Sequence, residues 1–227
     1  MLMRIRLALL IGGGVLTFLG FQEYQVAAGT STEPEGVDLA EVEASGAPEN
    51  PHIEIGPHWA VYGGSVYEYR QGRFETGDPE GSTKVTHTYY PIVSDSHPFI
   101  QALAEVEDRY GTLADVPDEE LPELRGGIAV VVKTRAFGTI DEIPDGFARE
   151  ESIRGLVINR ISSLDSEERR LLTESFPDLD VDQLAILEQN REPASPQRSL
   201  GMMGGGVLLS LAGLGWLLRH YLGGRAA

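Results

Sequence analysis

Four histidines are the residues best suited to hold a metal ion: His52, His58, His87 and His97. Imidazole is a common ligand of zinc and copper in proteins. The spacing of the four does not predict that their rings converge, and a proline adjoins His52, His58 and His97, as is typical of loops and strand edges. We therefore expect ordinary surface or partly buried histidines, and we predict neither a metal centre nor a cofactor.

Three aspartates at alternate positions, Asp178, Asp180 and Asp182, have the spacing with which a calcium-binding loop begins. The remainder of such a loop is missing from the sequence. Gln183 occupies the position where the loop needs glycine for its sharp turn, and Gln189 occupies the position of the bidentate acid. Helix capping by Asp180 explains the pattern better than calcium binding does.

The stretch SDSHP, residues 94–98, contains the serine, aspartate and histidine of a hydrolase triad. Triad members must converge in space around a nucleophile, whereas adjacent residues point in different directions. The sequence also lacks the G-x-S-x-G pattern that places a nucleophilic serine on a strained turn. We interpret this stretch as the cap of the helix that follows it.

An extracytoplasmic enzyme of unknown reaction is an alternative hypothesis, and its acid pair would come from Asp141, Glu142, Glu150 or Glu151. Two carboxylates can divide the roles of general acid and general base between them. Adjacent acids are more typical of a solvated loop. We therefore favour a protein without catalytic activity.

The charges of the chain are concentrated in its middle. Residues 22–198 contain all 35 acidic residues and 14 of the 18 basic ones, which gives this segment a formal net charge of −21. Such a surface repels nucleic acid, so we exclude nucleic-acid binding and expect cationic partners or divalent ions, although solubility alone explains the charge. A divalent-metal sensor is thus a further alternative. The chain contains no cysteine, which excludes disulfide bonds and cysteine metal sites.

The last part of the chain is apolar and predicts a transmembrane helix over residues 200–222. Residues 200–218 carry no charge, and as a helix they rise roughly 28 Å, close to the hydrocarbon thickness of a bilayer. A buried core helix would carry a polar stripe, which this run lacks. Trp216 and Tyr221 lie at its end, where amphipathic rings favour the membrane interface. A short linker over 193–199 precedes the helix, and a cytoplasmic tail over 223–227 follows it.

The start of the chain is also apolar, over residues 7–21, with two arginines before it. Such a segment is either a signal peptide, cut after Ala28, or a second membrane anchor over residues 1–22. We favour the uncleaved anchor. Basic flanks stay in the cytoplasm, and basic residues precede the first segment and follow the last. Residues 22–198 are therefore predicted to face outward from the inner membrane, with the C-terminus in the cytoplasm.

Glycines in the apolar segments predict close helix packing in the membrane. Gly201 and Gly205 form a G-x-x-x-G pattern, and Gly206 with Ser210 repeats the spacing. Small residues at this spacing let helix backbones approach in lipid. With the cytoplasmic ends aligned, Gly13 and Gly205 differ in depth by roughly 11 Å, so we expect the glycine triplets of the two segments not to meet. Besides the lipid bilayer, the predicted partner is another membrane protein or a second copy of this chain.

Residues 52–192 are predicted to form one extracytoplasmic α+β domain, and residues 23–51 an acidic flexible tether. The tether is rich in Gly, Pro, Ser, Thr and Glu, so it cannot bury enough apolar surface to offset its ordering entropy. A short helix over 37–42 is its one expected element. Most predicted strands come early in the domain and two of the predicted helices come late, an order that predicts an α+β domain with an antiparallel or mixed sheet and about three helices.

Period-two stretches rich in β-branched and aromatic residues predict strands between residues 52 and 93. Gly63 and Gly64 lie between two of these segments and predict a two-residue hairpin turn, because glycine accepts the positive φ of a type I′ turn. Residues 128–137 are apolar on both faces at their start, which predicts a central strand. Residues 155–161 are a further strand candidate.

Two of the expected helices have clear boundaries. Residues 98–110 carry an apolar stripe, with a proline in the first turn and Gly111 at the end. Asp165 and Glu168 form a capping box that predicts a helix over 166–174.

A third helix is predicted over residues 180–190. Asp180 is its expected cap, with Gln183 three residues later to complete a capping box. Leu179 and Leu184 are placed to form a hydrophobic staple across the first turn.

Taken with the two apolar ends, these features favour a non-enzymatic membrane protein whose outer domain docks on, scaffolds or helps to assemble a membrane complex. In layout alone the chain is similar to some respiratory-chain assembly factors, and no motif extends that similarity to particular residues.

Overall fold

The computed structural model describes residues 2–69, 79–159, 164 and 166–223. It divides the chain into two compact units, residues 1–31 with 193–227 and residues 32–192. Some predicted features lie outside the described residues. These are the cap residue Asp165, the last two residues of the strand predicted over 155–161, and the tail from 224 onward, together with the side chain of Tyr221.

The terminal unit consists of two long helices that pack side by side in opposite directions, α1 (Leu2–Ala28) and α5 (Pro196–Gly223). Both are long and apolar enough to cross a membrane, over Arg4–Gln25 and Pro196–Leu218. The second helix begins inside the predicted linker because Pro196 suits the first helical position and the Ser195 hydroxyl accepts a hydrogen bond from Arg198 N–H at 3.3 Å.

Residues 32–192 form an α+β domain with a mixed sheet, as the sequence predicts. Among its described residues the strands are β1 (Glu35–Val37), β2 (His52–Ile55), β3 (His58–Val61), β4 (Val66–Tyr69), β5 (Val85–Val93), β6 (Val130–Thr134), β7 (Phe147–Glu150), β8 (Ile153–Val157) and β9 (Ala185–Gln189). The helices are α2 (Leu39–Ser45), α3 (Pro98–Tyr110) and α4 (Ser166–Ser175), and short 3-10 turns cover Leu113–Asp115, Asp118–Glu120 and Ile140–Glu142.

The strand order is β1-β2-β8-β9-β6-β5-β3-β7, with β4 paired to β5. β1 with β2 and β6 with β9 are parallel pairs, and the remaining pairs are antiparallel. β6 lies between β9 and β5, and its residues Val130, Val131 and Val132 are fully buried, which confirms the predicted central strand.

The sheet is curled around the main core. Val37 of β1 and Ala148 of β7, the two ends of the strand order, pack against the same cluster of buried residues as Ile92 and Leu187 from the middle. A second cluster joins the other side of the sheet to α3, through Val93 and a partly exposed rim of aromatic rings. The α3 helix has the predicted bounds, because Pro98 begins it and Gly111 ends it with φ +89°.

The flexible tether predicted over residues 23–51 is wrong for most of its length. α1 continues to Ala28, and β1 and α2 belong to the domain, with Leu39 and Val42 each 2% exposed in the main core. Asp38 caps α2 by accepting a hydrogen bond from Ala40 N–H at 2.9 Å. Composition misleads here because three apolar residues, Val37, Leu39 and Val42, pack together at the main core.

The hairpin predicted at Gly63 and Gly64 does not form. β3 and β4 both pair antiparallel with β5, at successive positions along it, so the chain keeps its direction through the glycines. The N–H groups of Tyr62 and Gly63 both donate to Gly146 O, at 2.7 and 2.8 Å, which draws this segment toward β7. The glycines therefore form an irregular bend between β3 and β4, in a segment that runs along one edge of β5.

The prediction of a helix over residues 180–190 is also wrong, because residues 185–189 form strand β9. The local capping contacts do form, since Asp180 accepts hydrogen bonds from Asp182 N–H and from the Gln183 side chain at 3.1 and 2.7 Å. They support a single turn. Four consecutive apolar residues from Leu184 then fill the space between β6 and β8, and only a strand can pair with both neighbours.

Candidate functional site

The two terminal helices meet along a regular seam of small residues. The buried positions recur every seven residues on both helices: Arg6, Gly13 and Gly20 on α1, and Ser199, Gly206 and Gly213 on α5. A period of seven is the spacing at which two helices keep one face in continuous contact by coiling slightly around each other. Because most of these positions lack a side chain, the helix backbones approach directly.

Distances at the centre of the seam show how tight the packing is. A Cβ added at Gly13 would lie 2.5 Å from Ser210 Oγ and 2.6 Å from Gly206 O. The Ser210 hydroxyl donates to Leu10 O at 3.3 Å, and the Thr17 hydroxyl donates to Gly13 O at 2.8 Å. The seam thus excludes any larger residue at its centre and satisfies its hydroxyl groups within the hairpin.

The glycine triplets of the two helices do meet, contrary to the sequence-based expectation. That expectation aligned the apolar runs at their ends, whereas the observed contact of Gly13 with Gly206 requires a shift of about six residues, or roughly 9 Å. With this shift, Arg6 lies inside the contact between α1 and α5 and does not mark the end of the packed segment. It is 7% exposed and its guanidinium lies over the Trp216 ring, 4.8 Å from the centroid.

The four predicted packing residues on α5 divide into two faces. Gly206 and Ser210 lie in the seam against α1. Gly201 and Gly205 have no atom within 4 Å of an added Cβ, so the G-x-x-x-G pattern faces away from α1 and is open. Gly20 and Gly213 were not predicted as packing residues, although each lies seven residues after Gly13 or Gly206 in the sequence.

The four histidines do not converge on one point among the described residues. His52, His58 and His97 are buried, and the rings of His58 and His97 have separate local partners. His58 Nδ1 donates to Gly56 O at 2.8 Å, and burial lowers the pKa of this imidazole. His97 Nδ1 accepts from Phe99 N–H at 3.2 Å, so His97 itself caps α3. Across the described part of the chain, no cluster of three or more histidines and acids could hold a metal ion.

His87 belongs to a chain of charged groups on the outer face of the sheet. Its Nδ1 donates to Glu68 Oε2 at 2.8 Å, and its Nε2 accepts from Arg135 Nε at 2.8 Å. This hydrogen bond from His87 is the main reason that the pKa of Glu68 is lowered. Arg135 also lies 4.0 Å from Glu188, which forms an ion pair with Arg191 at 2.7 Å. The groups satisfy one another, as in a surface ion-pair network.

The aspartates of the DLDVD stretch likewise serve local structure. Asp180 closes the single turn before β9, and Asp182 forms an ion pair with Arg169 at 2.6 Å. Asp178 is exposed. Of the proposed catalytic acids, Glu142 accepts from Gly138 N–H at 2.7 Å, and Glu150 lies at the end of β7.

A cleft of about 690 Å³ lies where the two end strands of the curled sheet approach each other. β1 and the start of α2 line one side, and Arg149 of β7 lines the other. The loop before α3, Ser94–Asp95–Ser96, lies between them. This opening was not predicted, because it depends on which strands end the sheet.

Ion pairs and hydrogen bonds hold the walls of this cleft together. Asp95 accepts from Arg149 at 2.8 Å and from the Trp59 indole N–H at 2.8 Å. The Arg149 hydrogen bond is the main cause of the lowered pKa of Asp95. On the opposite wall, Glu43 of α2 accepts from Ser94 N–H and from the Ser94 hydroxyl, at 2.8 and 2.6 Å. The serine, aspartate and histidine of the SDSHP stretch therefore each bind a different partner and form no triad.

Comparison with known proteins assigns no family. The chain matches no protein-family model, and neither a curated protein nor a solved structure matches it.

Proposed function

We propose that this protein is a non-enzymatic, membrane-anchored docking or assembly protein for a membrane complex. In this proposal α1 and α5 cross the inner membrane as a hairpin, and the α+β domain lies on the outer side. The observation that carries the proposal is the division of α5 into two small-residue faces. One is filled by α1, and the other, Gly201 and Gly205, is open.

Contact between α1 and α5 leaves part of the small-residue surface of α5 free for another helix. Its inner seam is complete, whereas the open G-x-x-x-G pattern offers a second place for close backbone approach. Large apolar side chains such as Leu208 and Leu211 are exposed on α5, which suits contact with lipid or with another transmembrane helix. An enzyme and a divalent-ion sensor are the alternative functions, and for the sensor no group of three or more histidines and acids that could hold a metal ion is found among the described residues.

The absence of cysteine allows a direct test of the orientation. Single cysteines are introduced by Glu151→Cys in the domain and Ala227→Cys at the C-terminus, and intact cells are treated with a membrane-impermeant maleimide. We expect labelling at residue 151 in intact cells and at residue 227 only after permeabilisation. Labelling at both positions in intact cells, or at neither, would contradict the proposed topology.

The docking function is tested on the full-length chain, tagged at the C-terminus and extracted in mild detergent. We expect a membrane protein to be recovered in stoichiometric amount, and the Gly201→Leu/Gly205→Leu double variant to lose it. Gly215→Leu is the matched control, since Gly215 is also open on α5 but lies outside the G-x-x-x-G pattern. Recovery of the protein alone, or equal recovery of the partner with the double variant, would refute docking through this face.

A further inference from the structure

The end strand β1 leaves one backbone edge unpaired inside the cleft. Val37 O accepts from Gly56 N–H at 3.4 Å, so residue 37 points its backbone groups toward β2. Successive residues of a strand alternate in direction, and the N–H and C=O of Gly36 therefore face away from β2. Gly36 also lines the cleft. Within the described residues, these two groups have no hydrogen-bond partner.

The end strand β7 has the same property on the other side of the opening. Tyr62 N–H donates to Gly146 O at 2.7 Å, which makes this a hydrogen-bonded pair of the antiparallel ladder between β3 and β7. Alternation along the ladder then turns the backbone groups of Phe147 and Arg149 away from β3. Among the described residues, the two end strands that border the cleft thus have backbone donors and acceptors that face away from the neighbouring strand.

We propose that this cleft binds an extended, basic segment of a partner polypeptide, which adds a strand to the free edge of β1 at Gly36. This inference rests on the proposed docking function and names the chemistry of the partner on the outer side. Strand addition to an exposed sheet edge is a general mode of peptide recognition, in which main-chain hydrogen bonds supply the affinity.

The size of the cleft fits such an occupant. A residue in a sheet occupies roughly 160 Å³, from a rise of about 3.3 Å, a strand spacing of about 4.8 Å and a sheet spacing of about 10 Å. The cleft of about 690 Å³ therefore holds roughly four residues of an added strand. This length matches β1, with three residues, and β7, with four.

The acidic lining of the cleft favours a basic partner segment. The acidic side chains that line the cleft are Asp38, Glu54 and Asp95, and the one basic side chain, Arg149, is already paired with Asp95. The segment from 22 to 198 also carries a formal net charge of −21. Lysine or arginine side chains on the added strand would find complementary charge, whereas an acidic segment would be repelled.

Gly36 offers a matched pair of variants. An added Cβ at this position meets no atom within 4 Å, so Gly36→Ala fits the free protein, and an end strand accepts proline where its nitrogen faces away from the neighbouring strand. Proline removes the outward N–H and leaves the ladder bonds of residues 35 and 37 to β2 intact, because those bonds use neighbouring residues. Alanine keeps the N–H. The two variants therefore differ in the one donor that strand addition requires.

The experiment uses the full-length protein in non-ionic detergent and an eight-residue peptide of alternating lysine and valine. Two further peptides are compared with it: one with the same side chains and every backbone amide N-methylated, and one with glutamate in place of lysine. Binding is followed by fluorescence anisotropy of the labelled peptide, and amide exchange is measured at residue 36. We expect slower exchange at Gly36 with the lysine peptide, binding by Gly36→Ala within about twofold of wild type, and a loss of roughly tenfold with Gly36→Pro.

The N-methylated and glutamate peptides are expected to bind at least tenfold more weakly. Equal binding by Gly36→Pro and Gly36→Ala, or by the N-methylated peptide, would overturn the strand-addition proposal. Protection of Gly36 that rises with protein concentration in the absence of peptide would assign the edge to a second copy instead and would overturn it as well. The peptide measurement does not involve Gly201 or Gly205, so its failure is distinct from failure of docking through the helix hairpin.

Discussion

The seam between the terminal helices makes the sharpest prediction, because one methyl group decides whether the helices can touch. The perturbation is Gly13→Ala, and the matched control is Gly12→Ala. A Cβ at Gly13 would lie 2.5 to 2.6 Å from Ser210 Oγ, Gly206 O and Ser210 N, whereas a Cβ at Gly12 meets nothing within 4 Å. Both changes replace glycine by alanine within α1, so their effects on helix propensity are similar.

The size of the effect follows from the distance that the helices must move. Ordinary contact begins at 3.4 Å, so relieving the clash with the Gly206 backbone needs a separation of about 0.8 Å. A gap of this size forfeits roughly a quarter to a half of the dispersion energy of the contacts it opens. Overpacking by one methyl group costs about 1–3 kcal/mol. We therefore expect Gly13→Ala to be less stable than Gly12→Ala by that amount.

The assay is unfolding of the purified full-length chain in mixed micelles by increasing SDS, with Trp216 fluorescence as the reporter. Trp216 responds to hairpin separation because Arg6 lies over its ring. The other tryptophan, Trp59, is replaced by phenylalanine in all samples so that one signal remains. Equal stability of the two alanine variants, or greater stability of Gly13→Ala, would refute both the close seam and the register that sets Gly13 against Gly206.

Three further predictions concern the domain. Gly155→Ala should destabilise it by about 1–3 kcal/mol in chemical unfolding, because an added Cβ would lie 2.9 Å from Glu188 C and collide with that backbone. The control Gly36→Ala, whose Cβ meets no atom within 4 Å, should change the unfolding midpoint little. Leu187→Ala should cost about 2–5 kcal/mol in the same measurement, since Leu187 is fully buried in the main core, and a loss below about 1 kcal/mol would contradict that burial. Burial lowers the pKa of His58 below its ordinary 6.5, so the stabilisation from the neutral imidazole is complete above pH 6.5 and is lost as pH falls below that value. His58→Gln should therefore flatten the dependence of unfolding free energy on pH below 6.5, and an unchanged slope would show that another group is responsible.

Features with a strong local cause were predictable from the sequence. The apolar stripe, the early proline and Gly111 specify α3 without help from distant residues. The continuous apolar run at residues 130–132 likewise identifies a strand buried on both faces. The apolar character of α1 and α5 is a property of composition, and so is the charge of the segment between them.

The errors lie where local and distant preferences disagree. Asp180 and Gln183 form the contacts of a helix start, yet the residues that follow become β9 because β6 and β8 leave a place that only a strand can fill. Two glycines suit a hairpin turn between β3 and β4, yet both strands pair with β5, and β3 also pairs with β7, which is remote in the sequence. In both cases burial of a whole segment outweighs a few local hydrogen bonds.

The candidate sites divide in the same way. The small-residue spacing of α5 and the acidic character of the domain can be read directly from the sequence, because spacing along one helix and net charge do not depend on distant contacts. Only the tertiary structure decided that Gly13 lies against Gly206 and that Gly201 and Gly205 stay open, since the relative shift of two helices depends on their mutual packing. It also decided that β1 and β7 end the sheet and leave the Gly36 edge unpaired. Strand order is set by contacts between segments far apart in the chain, and no short stretch of sequence encodes them.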